Sequence, residues 1–132
     1  MTNYLLDTSV LIDWLRGREP VAGWLETEAA GGAGLMLTPI SVAEVLAGID
    51  PTRRPEAARL LVEFMFLNIT FSVASRAAEL YWAHERSGSR LPLPDLLQAA
   101  TALEYGLSVA TSNIRHFPDV VVVDPRVNPE TS

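Results

Sequence analysis

The sequence predicts an α/β fold in which a mostly parallel sheet of about five strands is flanked by helices on both faces. Three observations predict it. Short apolar runs recur along the chain, at Tyr4–Leu6, Leu35–Leu37, Ile69–Phe71, Leu107–Ala110 and Val120–Val123. The segments between them return apolar residues every three or four positions, the period of a helix laid on a sheet. The length of 132 residues, with 48% hydrophobic residues and a mean hydropathy of +0.18, suits one packed domain.

The first element is Tyr4-Leu5-Leu6, a buried strand that ends at Asp7. From Thr8 the period changes, and Val10, Leu11, Trp14 and Leu15 mark a helix. Val21, Trp24, Leu25 and Glu28 begin a second helix, which the Gly31–Gly34 stretch ends. After Leu35–Leu37 the run PISVAEVLAG, residues 39–48, reads as a third. Ala57, Leu60, Leu61 and Phe64 form an i, i+3, i+4, i+7 stripe, with Glu56, Arg59 and Glu63 on the other face. Val73, Ala77, Leu80, Tyr81 and His84 form another, stopped by Ser87-Gly88-Ser89. Leu96, Ala100 and Leu103 form the last, closed by Gly106 as a C′ residue. A single domain is expected over residues 1–124, with residues 125–132 as a tail that frays.

Composition removes several function classes. The chain has no cysteine, so disulfides, zinc–thiolate sites and thiol nucleophiles are absent. All ten bases are arginine, which excludes a P-loop lysine, a Schiff base and the lysine of a phosphoacceptor receiver domain. The net charge of −6 makes non-specific nucleic-acid binding poor, so a polyanionic substrate needs positive charge from metal ions or a partner. No run approaches the roughly 18 apolar residues of a membrane helix. The apolar N-terminus carries Asp7 and Asp13 and lacks a basic start, unlike a signal peptide. A soluble, cytoplasmic protein is expected.

In a parallel sheet the strand C-termini and the helix N-termini share one edge, where such folds bind ligands. Three acids map to that edge. Asp7 ends the first strand and is either a helix N-cap or a ligand. Glu44 sits among Val42, Ala43, Val45 and Leu46. It either completes a Ser41-Val42-Ala43-Glu44 capping box or binds a cation, and the two roles are compatible. Asp95 follows Pro94 in a first helical turn, where it complements the dipole or serves as a ligand. Three carboxylates on one rim repel one another, and a divalent cation relieves that repulsion. Hard oxygen ligands without histidine suit Mg²⁺ or Mn²⁺, and phosphodiester hydrolysis is the chemistry such a site serves.

These residues lie in motifs that resemble a known family. LLDTSVLIDWL at 5–15, TPISVAEVLAG at 38–48, LPLPDLLQAATALEYGL at 91–107 and ATSNIRHF at 110–117 resemble the PIN domain, in particular the VapC-type toxins of bacterial toxin–antitoxin pairs. The resemblance implies a three-layer PIN-like fold and a metal-dependent endoribonuclease. It implies one or two Mg²⁺ or Mn²⁺ ions organised by Asp7, Glu44 and Asp95, with water attacking the phosphate to leave a 5′-phosphate and a 3′-hydroxyl. It also implies a cognate VapB-like antitoxin, an RNA substrate and a homodimer. Many relatives carry a further acid where this chain has Asn113 and His116. Asn113 offers either a carbonyl oxygen to the site or local turn hydrogen bonds. His116 is a rim or phosphate contact, or a surface residue without a role. Thr8, Ser9 and Thr111 are candidate hydroxyl donors, against ordinary hydrogen bonding at helix starts and strand ends. Arg86 and Arg90 are candidate phosphate contacts, against a solvated loop. Trp14, Trp24 and Trp82 are expected in the core or a subunit interface. The missing acid also motivates a second reading, a non-catalytic PIN-like module that binds only protein.

Overall fold

The computed structural model describes residues 2–127. Five strands form one sheet in the order β3-β2-β1-β4-β5, and every neighbouring pair is parallel. They are β1 (Tyr4–Leu6), β2 (Leu35–Leu37), β3 (Met65–Phe66), β4 (Ser108–Ala110) and β5 (Val122–Val123). The helices are α1 (Thr8–Leu15), α2 (Val21–Ala30), α3 (Pro39–Ala47), α4 (Arg54–Leu61), α5 (Phe71–Arg86) and α6 (Leu93–Tyr105). Short 3₁₀ turns occupy Pro51–Arg53 and Ile114–His116.

The alternation of side chains along β1 sorts the core into two layers. Leu6 faces a cluster with Val10, Leu11, Leu25, Leu37 and Val45, so α1 to α4 cover that face. Leu5, one residue earlier, faces Ala99, Ala102, Val109 and Phe117 under α6. Val73 and Ala77 of α5 pack on Leu96 and Ala100 of α6 to complete the second layer. Trp14 meets Phe64 edge-on at 5.1 Å between centroids, and Trp24 meets Tyr4 at 5.0 Å. Both support the first layer. Trp82 instead lies exposed beside Tyr81. Gly106 ends α6 in the left-handed conformation at φ 67°, as its place after the helical stripe predicts.

Three expectations are corrected. The strand expected at Ile69–Phe71 is displaced to Met65–Phe66: Thr70 accepts from the Val73 amide and caps α5, and Phe71 opens that helix with its ring in solvent. The stripe through Phe64 ends early, because α4 stops at Leu61 and Phe64 turns back onto Trp14. The Ser41–Glu44 capping box does not form. Thr38 is the cap, with Pro39 as the first helical residue, so Ser41 and Glu44 both lie inside α3. Within the expected tail of residues 125–132, Arg126 is hydrogen-bonded to Asp124 in a turn. The rest of the expected tail, residues 128–132, lies outside the described residues.

Candidate active site

β1 has β2 on one side and β4 on the other, so the connections leave it in opposite directions. This is the switch point at which open α/β sheets form a crevice outside the strand C-termini. Asp7 follows β1 and Thr111 follows β4, which brings residues 104 positions apart to the same spot.

Asp7 is 4% exposed. Its backbone stands at the N-cap of α1, yet its side chain makes no capping hydrogen bond, so the cap alternative fails. Thr111 donates its hydroxyl to Asp7 Oδ2 at 2.8 Å, and Ser9 Oγ approaches the same oxygen at 3.5 Å. Burial pushes the Asp7 carboxyl above its ordinary pKa. The Thr111 hydroxyl and the Thr8 amide oppose that shift, while the charges of Asp95 and Glu44 add to it. A buried carboxylate held by hydroxyls, with two further acids in electrostatic range, is a centre of unbalanced negative charge.

Asp95 lies in the first turn of α6 and is partly buried. His116 Nδ1 sits 2.7 Å from Asp95 Oδ2. An ionised carboxylate only accepts, so Nδ1 carries the proton and donates. Burial raises the Asp95 pKa, His116 lowers it, and Glu44 raises it again. Glu44 lies on the exposed face of α3 and accepts from the Thr8 hydroxyl at 2.8 Å. Asp7 before α1, Asp95 in the first turn of α6 and Glu44 within α3 therefore share one rim, each with its own donor: Thr111 for Asp7, His116 for Asp95 and Thr8 for Glu44.

The remaining candidates divide. Thr111 also accepts from the Asn113 amide, and Ser9 accepts from the Ser112 amide, so these two hydroxyls knit the turn after β4 to α1. Asn113 contributes backbone bonds to that turn, and its exposed side chain makes no capping bond. Arg86 ends α5, and Arg90 pairs with Glu85 at 3.3 Å. Both are exposed and stand apart from the network around Asp7.

Three residues outside the sequence reading support the site. Thr38 and Gln98 hydrogen-bond to each other in the core and so join the start of α3 to α6, the helices that carry Glu44 and Asp95. Gln98 Nε2 is buried and has no partner among the described residues. A glutamine inside the apolar run LLQAATAL is the available signal. The third is Arg126, whose guanidinium reaches the Ser112 carbonyl. Nothing local in the sequence marks that contact.

The donor set is hard oxygen, which suits a small divalent cation. Among the described residues no three His, Asp or Glu side chains cluster closely enough to hold one ion. The expected set of Asp7, Glu44 and Asp95 therefore does not close around a single ion, and an ion here would rest on one or two carboxylates with waters and substrate phosphates, as Mg²⁺ commonly does. The buried, mutually repelling charge of Asp7 is the feature that such an ion relieves.

Comparison with known proteins places these features in context. A family model described as the PIN domain matches residues 4–122. Ribonuclease VapC10 of Mycobacterium tuberculosis is 38% identical over 114 residues, covering 86% of this chain and 85% of that protein. Ribonuclease VapC19 of the same organism is 32% identical over 115 residues, covering 86% and 91%. A toxin–antitoxin complex from Klebsiella pneumoniae contains a chain that superposes with a TM-score of 0.76 at 29% identity, covering 93% of this chain and 98% of that one. No helix among the described residues is long and apolar enough to cross a membrane.

Proposed function

The chain belongs to the PIN-domain family, and from that premise we propose that it is a divalent-metal-dependent endoribonuclease, the toxin of a VapBC-type pair. The observation that carries the reading is the rim itself, where Asp7, buried and raised in pKa, stands in electrostatic range of Asp95 and Glu44.

In this reading Asp7 and Asp95 hold one or two Mg²⁺ or Mn²⁺ ions with help from Glu44. The bound ion supplies charge neutralisation at the scissile phosphate and activation of water. The chain's own contribution is orientation. Thr111 fixes one oxygen of Asp7. His116 does the same for Asp95, and Thr8 steers Glu44 toward the rim from α3. Carboxylates locked by such partners bind an ion without the entropy cost of ordering free side chains. His116, which with Asn113 occupies the segment where the resemblance implies a further acid, here serves the carboxylate Asp95.

An acidic rim on a chain of net charge −6 also complements a basic peptide. The proposed partner is an antitoxin that places a basic side chain among the acids, and the proposed assembly is a homodimer in the cytoplasm.

The test is RNA cleavage by the purified protein with Mg²⁺ or Mn²⁺. Asp7→Asn and Asp95→Asn, each folded, should abolish it, and wild-type rates in either variant would refute the assignment. The rival reading, a PIN-like module that binds only protein, rests on the absent fourth acid. It predicts no heat of Mn²⁺ binding, whereas the nuclease reading predicts a heat that disappears in Asp7→Asn.

A further inference from the structure

The turn after β4 reaches Asp7 through Thr111 and α1 through Ser9, but it is also held from behind. Arg126 donates from Nη2 to the Ser112 carbonyl at 3.1 Å. The same guanidinium is gripped by Asp124, with Nε on Oδ1 at 3.1 Å and Nη2 on Oδ2 at 2.9 Å. Asp124 Oδ1 also accepts the Arg126 amide at 3.0 Å, which closes the 124–126 turn. Asp124 itself is anchored: its side chain is 7% exposed, and it follows Val123, whose carbonyl accepts the Thr111 amide at 3.0 Å.

A bidentate guanidinium–carboxylate fork sets the plane and direction of the remaining N–H groups. Arg126 is thus aimed at one carbonyl, not freely sampling solvent. That carbonyl belongs to the peptide unit that joins Ser112 to Asn113, whose N–H binds the Thr111 hydroxyl. Fixing Ser112 from its carbonyl side, while Ser9 takes its amide at 3.1 Å, leaves the turn one position. The position matters because Thr111 holds Asp7 at 2.8 Å and accepts the Asn113 amide at 2.9 Å. A chain of bonds therefore runs from Asp124 through Arg126 and Ser112 to the buried carboxylate.

We propose that Arg126, clamped by Asp124, is a positioning residue that holds the 111–113 turn and through it sets the geometry of Asp7 for the ion and the substrate. Arg126 is half exposed, with its charge matched by Asp124, so a role in drawing RNA toward the site is the weaker use of it. The inference rests on the nuclease reading for its kinetic consequence, and its structural consequence is measurable without it.

The variants are Arg126→Ala and Arg126→Lys, with Arg126→Gln as a second neutral substitution should the alanine variant fold poorly. Without metal or RNA, hydrogen exchange at the Ser112 and Asn113 amides should be faster in Arg126→Ala. In calorimetry its Mn²⁺ affinity should fall about tenfold, as for loss of other outer partners of ligating carboxylates. Its kcat on RNA should fall similarly while KM stays within twofold, and Arg126→Lys should recover part of the loss by reaching Ser112 alone. Unchanged exchange, affinity and kcat in Arg126→Ala would overturn the proposal. So would an effect confined to KM, which would make Arg126 a phosphate contact. Failure of the nuclease reading is distinct: the unsubstituted protein would then neither bind Mn²⁺ nor cut RNA, while the exchange difference could still be read.

Discussion

Thr111 Oγ1 donates to Asp7 Oδ2 at 2.8 Å, joining the ends of two adjacent parallel strands across 104 residues of chain. Both residues are buried, so the bond operates where water does not compete and a lost partner is not replaced. Thr111→Val keeps the shape and removes the donor. A hydrogen bond to a charged group contributes about 1.5–3 kcal/mol, so the variant should melt lower at neutral pH. The deficit should shrink as Asp7 protonates in acid. Thermal melts across a pH series from 7.5 down into the acid range check this, and a deficit that stays constant throughout would contradict it.

Asp7→Asn should do the opposite to stability. Burial, assisted by Asp95 and Glu44, holds the Asp7 carboxyl above its unfolded pKa. An acid raised on folding costs no stability below its unfolded pKa, costs progressively more as pH rises, and costs the full amount above its folded pKa. At neutral pH the isosteric amide removes that cost. We expect Asp7→Asn to be inactive yet more stable by about 1 kcal/mol, with a melting temperature roughly 2–6 °C higher. The gain should fade on acidification through the window between the two pKa values. Melting curves across pH read this directly, and a variant less stable than the parent at neutral pH would count against a charge-strained site.

Mn²⁺ should remove the same strain. A ligand that binds only the folded protein adds about 2.7 kcal/mol at a hundred times its Kd. The parent should therefore gain thermal stability with added Mn²⁺, and Asp7→Asn should gain little. Equal shifts in both proteins would place the ion elsewhere.

His116→Ala removes the donor to Asp95 Oδ2. The loss should lower Mn²⁺ affinity and kcat by roughly 10–100-fold, the usual effect of deleting a partner that orients a ligating carboxylate. His116→Asn, which retains an N–H donor, should recover part of this. Full activity in His116→Ala would assign the histidine to the surface.

Most of the framework was legible because burial and period coincide there. Leu5 and Leu6 alternate between the two core layers, and α6 ends at Gly106 as its stripe implies. Misreadings arose where local apolar character and tertiary position diverge. β3 has both side chains exposed and is a strand only through its backbone pairing with β2, so no alternation betrays it. Ile69-Thr70-Phe71 looks like a strand, but Thr70 is a cap. Ser41 and Glu44 have box spacing, yet Thr38-Pro39 is the stronger helix start, because the proline fits the first helical position and the threonine caps it. At the site, Asp7 and Asp95 were readable from a strand end and a helix start, and Glu44 from a charge inside an apolar helical run. Their donors were less so: the pairing of His116 with Asp95, of Thr8 with Glu44, and of Arg126 with Ser112 depends on which elements the sheet order makes neighbours.

The claim beneath all of this is that widely separated acids act together on a hard dication. Calorimetric titration of the purified protein with Mn²⁺, repeated for Asp7→Asn and Asp95→Asn, addresses it most directly. The account predicts saturable binding in the parent and its loss in both variants, with each variant folded by circular dichroism. Binding that survives both substitutions, or no binding in the parent at millimolar Mn²⁺, would contradict it.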